Sequence, residues 1–301
     1  MEITSTDSTV VPEGSPSHYS VAGAPTGIIK TDAQTLWFSD TGGGHVSRMT
    51  TAGELRQWDL HGGSPGHLTA TPDGTIWVPL EDRGSLVRIN PSGRVSECLL
   101  PSRTSSPYGA VLGPDGNLWV VEFNGARIAR IAPNGTIREF SLPGDVGNPG
   151  YITVGPDRAM WFTEARGGKI GRITAAGRIT MFALPDPGST ESGIVSGPDG
   201  ALWFTDFSDG KIGRVTTSGQ VSEFPVPAGS NSSPNGITVG PDHALWFAES
   251  GANKIGRITV DGQISPRAST GLFPDQLVFT GDGSLWVTEF TSGDLIRISN
   301  P

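Results

Sequence analysis

Apolar residues in this chain come in runs too short for helices, separated by clusters of Gly, Pro, Asp and Asn. The stretch after Pro234 shows the pattern well. Ile237 to Val239 is an apolar run, Gly240-Pro-Asp-His243 a break, Leu245 to Ala248 a second run and Ile255 to Thr259 a third. Such runs, bounded by residues that supply turn geometry, predict β-strands in antiparallel succession, here named A, B and C. Ile137 to Pro143, Ile179 to Pro185 and Val221 to Pro227 add a fourth strand, D, to their copies.

The pattern repeats along the whole chain. Trp37, Trp77, Trp119, Trp161, Trp203, Trp246 and Trp286 mark strand B of seven copies, spaced 40, 42, 42, 42, 43 and 40 residues apart. A period of about 40 to 45 residues with four short strands per unit predicts a β-propeller, and seven copies predict seven blades. The fold class expected is therefore all-β. The last copy stops at Leu295-Ile-Arg-Ile-Ser-Asn-Pro301, after strand C, while residues 18–22 precede the first blade where a strand D would stand. The N-terminal segment is expected to complete blade 7 and close the ring, giving one domain over residues 17–301 behind a flexible tail over 1–16.

Composition adds limits. Gly (43) and Pro (24) are abundant among 301 residues but fall at fixed repeat positions, so they punctuate strands and do not form a low-complexity tract. Net charge is −9 with no Lys/Arg run, which argues against nucleic acid as a partner. No apolar run reaches membrane-spanning length and the N-terminus lacks a secretion signal, so the expectation is a cytoplasmic monomer without membrane contact. Cys98 is the single cysteine; a disulfide is excluded, and a buried structural thiol on strand D of blade 2 is expected.

In a repeat protein, residues present in every copy serve the fold, and a site for an asymmetric ligand is built where the copies differ. Arg48, Arg88, Arg130, Arg172, Arg214, Arg257 and Arg297, each eleven residues after a Trp, read as structural. So do the acids three after Trp (Asp40, Glu122, Glu164, Asp206, Glu249 and Glu289, with Leu80 the exception), expected to accept N–H bonds from the following turn. Positions eleven and ten before Trp diverge instead. They are Thr26, Gly66, Tyr108, Gly150, Ser192, Asn235 and Asp275, then Gly27, His67, Gly109, Tyr151, Gly193, Gly236 and Gln276. These begin the inner strands, at the mouth of the central funnel. Tyr108, Tyr151, Asn235, Asp275, Gln276 and His67 are expected to line it and to suit a medium-sized, partly apolar small molecule. His45, His61 and His243 fall elsewhere in the repeat.

The repeated Pro-x-Gly-Ile-Thr-x-Gly-Pro-Asp-x-x-Leu-Trp-Phe-Thr-Glu, with Asn-Lys-Ile-Gly-Arg-Ile-Thr and Glu-Phe-x-Leu-Pro, resembles the streptogramin B (virginiamycin B) lyases across all seven copies. The resemblance implies opening of a cyclic depsipeptide antibiotic by Mg²⁺-assisted elimination at its ester, in which a base removes an acidic C–H proton and the cation stabilises the developing enolate. That family's base lies in a Glu-Pro-His motif leading into the last blade, which here reads Phe273-Pro274-Asp275. Its substrate-binding Pro-His before the sixth blade here reads Pro234-Asn235. The implied base is thus Asp275, with His67 as the alternative; Tyr108, Tyr151, Asn235, Gln276 and Phe273 would bind substrate; Glu289 would be the metal ligand, for a Mg²⁺ ion. The competing expectation is a noncatalytic propeller that binds a small molecule or a protein at its rim.

Overall fold

The computed structural model describes residues 16–21, 23–144 and 147–301, with the side chain of Glu191 left aside. The expected tail over 1–16 lies almost wholly outside these residues. Seven four-stranded antiparallel sheets form a ring, six of them in the simple order A-B-C-D. The protein is a seven-bladed β-propeller. Among the described residues no helix is long and apolar enough to cross a membrane.

Strand B of each blade is sandwiched between neighbouring blades and buried on both faces, as in Leu202–Asp206 and Leu245–Glu249. Strand D is the outermost and mostly exposed, as in Val95–Leu99. Cores therefore lie between blades: Trp119, Val121 and Phe140 of blade 3 pack with Met160, Phe162 and Ile173 of blade 4. The Ile-Gly-Arg motif of strand C has a steric cause. Gly171 pairs with Phe162 across strands B and C, and a Cβ at Gly171 would come 2.0 Å from the Phe162 ring.

The repeated Arg is structural, as expected. In blade 4 the Asp157 carboxylate accepts from Trp161 Nε1 (2.9 Å) and from Arg172 Nε (2.6 Å), and the guanidinium lies over the Trp161 ring. Asp199 with Trp203 and Arg214, and Asp242 with Trp246 and Arg257, repeat the clamp. The buried indole N–H is thereby satisfied while the cation sits on a π face.

Closure follows the expected route with shifted bounds. The N-terminal strand is Pro16–Ser20, two residues earlier than 18–22, and pairs with Asp294–Ile298. Tyr19 packs on Trp286 with ring centroids 5.0 Å apart, Val21 is buried and its N–H bonds Gly293 O at 3.0 Å. Thr288 Oγ1 donates to Thr26 O (2.8 Å), tying blade 7 to blade 1. Cys98 departs from expectation: it lies on strand D of blade 2 but is half-buried, because strand D forms the ring's outer edge; partial burial raises its thiol pKa.

The inner strands also start earlier than the apolar pattern indicates. Blade 6 begins strand A at Pro234, not Ile237, and pairs Pro234 with Glu249. Between Pro234 and Ile237 the register slips by one residue, and the same slip recurs between Pro25 and Ile28, Pro107 and Ala110, Pro149 and Ile152, and Pro274 and Leu277. A β-bulge bends its strand and re-aims the extra side chains. The bulged positions are the two at which the copies diverge.

Candidate functional site

Three of the seven copies carry a side chain ten residues before Trp, where the others have Gly: His67 in blade 2, Tyr151 in blade 4 and Gln276 in blade 7. They converge on the axis of the ring. Gln276 Nε2 donates to Tyr151 OH at 3.1 Å from across the funnel, and the His67 and Tyr151 rings lie 4.4 Å apart. The glycines are required by crowding: a Cβ at Gly236 would come 2.4 Å from Asp275 O, and one at Gly193 2.7 Å from Asn235 O.

The residues eleven before Trp complete the cluster. Tyr108 OH lies 3.2 Å from His67 Nε2 and 3.5 Å from Tyr151 OH, with the two tyrosine rings edge to face. Asn235 donates through Nδ2 to Asp275 Oδ1 and accepts through Oδ1 from Ser192 Oγ. Asp275 also bonds the Gln276 side chain. One network thus runs from His67 through Tyr108, Tyr151 and Gln276 to Asp275, Asn235 and Ser192.

Burial sets its protonation. Asp275 is 6% exposed, and desolvation pushes its carboxyl up to about 7 although the Gln276 and Asn235 bonds pull the other way. Desolvation holds His67 down at about 3, so the imidazole is neutral near pH 7 and a weak base. Both Tyr108 and Tyr151 are raised above the ordinary phenol range by burial, with charge on Asp275 adding to it, so both keep their protons. Of the two proposed bases, Asp275 has the pKa suited to accept a proton at neutral pH.

Above the network opens a cavity of about 300 Å³ lined by Glu81, Tyr108, Phe123, Gly150, Tyr151, Ala165, Thr190, Ser192, Phe207 and Asn235. Tyr108, Tyr151 and Asn235 were anticipated from sequence. Glu81, Phe123 and Phe207 were missed. Each stands four residues after its Trp, one beyond the repeated acid, and the corresponding residues elsewhere are Thr41, Ala165, Ser250 and Phe290. That position diverges as much as the two before strand A, and its divergence was the unused signal. Glu81 is raised to about 7 by burial and by the neighbouring Asp82 charge.

Phe273 and Glu289 stand outside this network's hydrogen bonds. Phe273 adopts a left-handed backbone (φ 58°), fixed by its N–H to Asn253 Oδ1 at 2.9 Å, and its ring packs near Phe290. Glu289 is fully buried; its carboxylate accepts from Gly271 N–H and from Ser292 Oγ. Four of the other repeated acids show three kinds of environment. Asp40 and Asp206 accept N–H bonds from the following turn (Gly43, 3.0 Å; Asp209, 3.0 Å), as expected, and Asp40 also accepts from Ala24 N–H (2.7 Å) just before strand A. Glu164, like Glu289, takes its N–H from the loop before strand A of its own blade, from Gly147. Glu122 is buried beside Glu139 without a backbone donor, and burial raises it to about 7.

The remaining histidines lie elsewhere: His45 and His61 stand 3.9 and 3.7 Å from Asp40 and Asp59, and His243 occupies the A to B turn of blade 6. Among the described residues, one group of three potential ligands comes within mutual reach: His18, Glu289 and Asp294, with donor atoms within 4.8 Å of one another. Its members include an imidazole on the closing strand, and Phe273 contributes no donor atom. Mg²⁺ takes oxygen ligands, and the one carboxylate that the resemblance implies for it, Glu289, is already taken up by Gly271 N–H and Ser292 Oγ, so the place implied by resemblance fits that cation poorly.

Comparison with known proteins agrees with the fold and the repeat. The model of the virginiamycin B lyase family matches residues 15–232 and 228–301, and the chain belongs to that family. The solved structure described as a streptogramin B lyase superposes with a TM-score of 0.89 at 32% identity, covering 94% of this chain and 96% of that one. A catalytically inactive His-to-Ala variant of the virginiamycin B lyase from Staphylococcus aureus, crystallised with quinupristin, superposes with a TM-score of 0.90 at 36% identity, covering 95% of this chain and 99% of that one. A virginiamycin B lyase from Nocardia farcinica (strain IFM 10152) is 33% identical over 88 residues, 29% of this chain and 31% of that relative.

Proposed function

We propose that this protein opens an ester-bearing cyclic natural product, of the streptogramin B depsipeptide class, by elimination in the central funnel. The observation that carries the reading is Asp275: a buried carboxyl with a pKa of about 7, joined to the network below the cavity, at the place where the resemblance implies the family's base.

The carboxylate takes a proton from a carbon acidified by a neighbouring carbonyl and lying β to the ester oxygen. The electron pair left behind forms a C=C bond, the C–O bond breaks, and the acyl half departs as a carboxylate. No water enters the product. Asp275 then returns its proton to solvent. Burial makes the carboxylate a stronger base than an exposed Asp would be, since desolvation disfavours its charged form. The Asn235 amide covers Oδ1 and must give up that bond for substrate to reach it. Tyr108, Phe123, Tyr151 and Phe207 supply the apolar and aromatic wall on which the substrate orients. His67 remains neutral and holds Tyr108. A monomer suffices, because every residue named belongs to one ring.

Incubation with quinupristin followed by mass spectrometry tests the reaction class. A product of unchanged mass that carries a free carboxyl and a new C=C bond supports elimination. A product heavier by one water would show hydrolysis, and no product would leave the funnel as a binding site.

A further inference from the structure

Blade 2 departs from the other blades in ways that act together. Its inner strand is reduced to Thr69–Ala70, leaving Pro65 and His67 held by single bridges to Leu80 and Gly109. Its strand B ends in buried Leu80, where the other copies place the repeated acid, and the acid comes one residue later as Glu81. Glu81 lies one residue past the end of strand B, in the turn, and there it shares the wall of the funnel cavity with Tyr108, Tyr151 and Asn235. The backbone there is anchored, with Glu81 N–H bonded to Ser64 O at 2.9 Å. The corresponding residues of the other blades, Thr41, Phe123, Ala165, Phe207, Ser250 and Phe290, carry no carboxyl.

The geometry supplies a complement to Asp275. The Tyr108 hydroxyl feels the charges of both Glu81 and Asp275, so both carboxyls act on one part of the cluster. On the blade 7 side, Phe273, which stands at the Glu of the Glu-Pro-His motif, offers an aromatic ring near that of Phe290 and no carboxyl. An elimination that removes a proton next to a carbonyl must stabilise the oxygen on which negative charge develops.

Resting on the elimination reading above, we propose that Glu81, as a neutral carboxylic acid, donates the hydrogen bond that stabilises this oxygen and so replaces a metal ion. The balance is simple: the C–H proton goes to Asp275, the ester carboxylate leaves, and the Glu81 proton stays on Glu81 throughout, shared with the oxyanion. Burial within the funnel favours the protonated acid near neutral pH, the state the role requires.

The test follows quinupristin opening by the full chain and by Glu81→Gln and Glu81→Ala, from pH 6 to 9, with and without chelator. Removal of one oxyanion donor costs about 10²- to 10³-fold in kcat. Glu81→Ala is expected to fall by that factor, and Glu81→Gln, which keeps an N–H donor, by about tenfold. The alkaline limb of the kcat/KM profile should vanish in Glu81→Gln, a change that a merely structural role would not produce. Chelator should leave the unmodified rate intact. Matching thermal unfolding of the three proteins excludes misfolding as the cause. Activity of Glu81→Ala within twofold of the unmodified protein, an unmoved pH limb, or abolition by chelator would overturn the assignment of Glu81 while leaving the elimination reading in place. Failure of the unmodified protein to open quinupristin would overturn that reading and this assignment with it.

Discussion

Replacing Asp275 by Asn should make the protein more stable at alkaline pH and change little in acid. The carboxyl titrates at about 7 in the folded state against an ordinary 3.8, a gap of about 3 units and so roughly 4 kcal/mol at most. Between those two pH values the unfolded chain holds fewer protons than the folded one, so stability falls as pH rises through the window and is level above it. At pH 8 the folded protein bears the full cost of an ionised buried carboxylate, and at pH 4.5 only a small part of it. The side chain introduced by Asp275→Asn would keep an acceptor for the Asn235 amide and carry no charge. Bonds lost to the exchange cost the same at both pH values and cancel in the difference. Urea unfolding of both proteins at pH 4.5 and pH 8 should therefore show the variant gaining about 3 kcal/mol relative to wild type on going to the higher pH. A pH-independent difference between the two proteins, within about 0.5 kcal/mol, would refute the burial argument for Asp275.

His67 predicts the opposite slope. Its folded value near 3 lies below the ordinary 6.5, so its contribution to stability rises with pH through that window; His67→Phe should gain about 2 kcal/mol at pH 5 relative to pH 8 in the same urea assay. Gly171→Ala forces a Cβ against the Phe162 ring and should cost about 1–3 kcal/mol in thermal unfolding. Asp157→Ala strands the Trp161 N–H and the Arg172 guanidinium and should cost a similar amount, about 1–3 kcal/mol. A chain starting at Ala24 loses the closing strand, with buried Val21 and the Tyr19 to Trp286 contact; against a chain starting at Pro16 it should lose at least about 3 kcal/mol, and equal melting temperatures would contradict closure by that strand.

The ring was legible because its unit is local. Trp, the Gly-Pro-Asp turn and the Ile-Gly-Arg run recur within each period, and each has a contact within its own blade that explains it. The inner strands were read too short because their first residues lie beyond a bulge, where alternation of apolar and polar positions breaks. The divergent positions before Trp pointed to Tyr108, Tyr151, Asn235, Asp275, Gln276 and His67, and the structure brings these six together.

What could not be read was their meeting. Tyr151 and Gln276 are 125 residues apart and touch only because the ring folds them onto one axis. Glu81 was hidden for a different reason. The acid position of its copy reads Leu80, and Glu81 stands one residue past the end of strand B, in the turn, on the wall of the cavity. In blade 7 the repeated acid, Glu289, is the last residue of its strand and its carboxylate is taken up by Gly271 and Ser292, while the residue after it, Phe290, is 43% exposed.

The central claim is that Asp275 removes a proton to open an ester without water. A single time course of quinupristin with the unmodified protein and with Asp275→Asn, followed by mass spectrometry, tests it most directly. The account predicts a mass-neutral, ring-opened product from the former and a rate lower by about 10²- to 10⁴-fold for the latter. Equal rates from the two proteins, or a product carrying the mass of one added water, would contradict it.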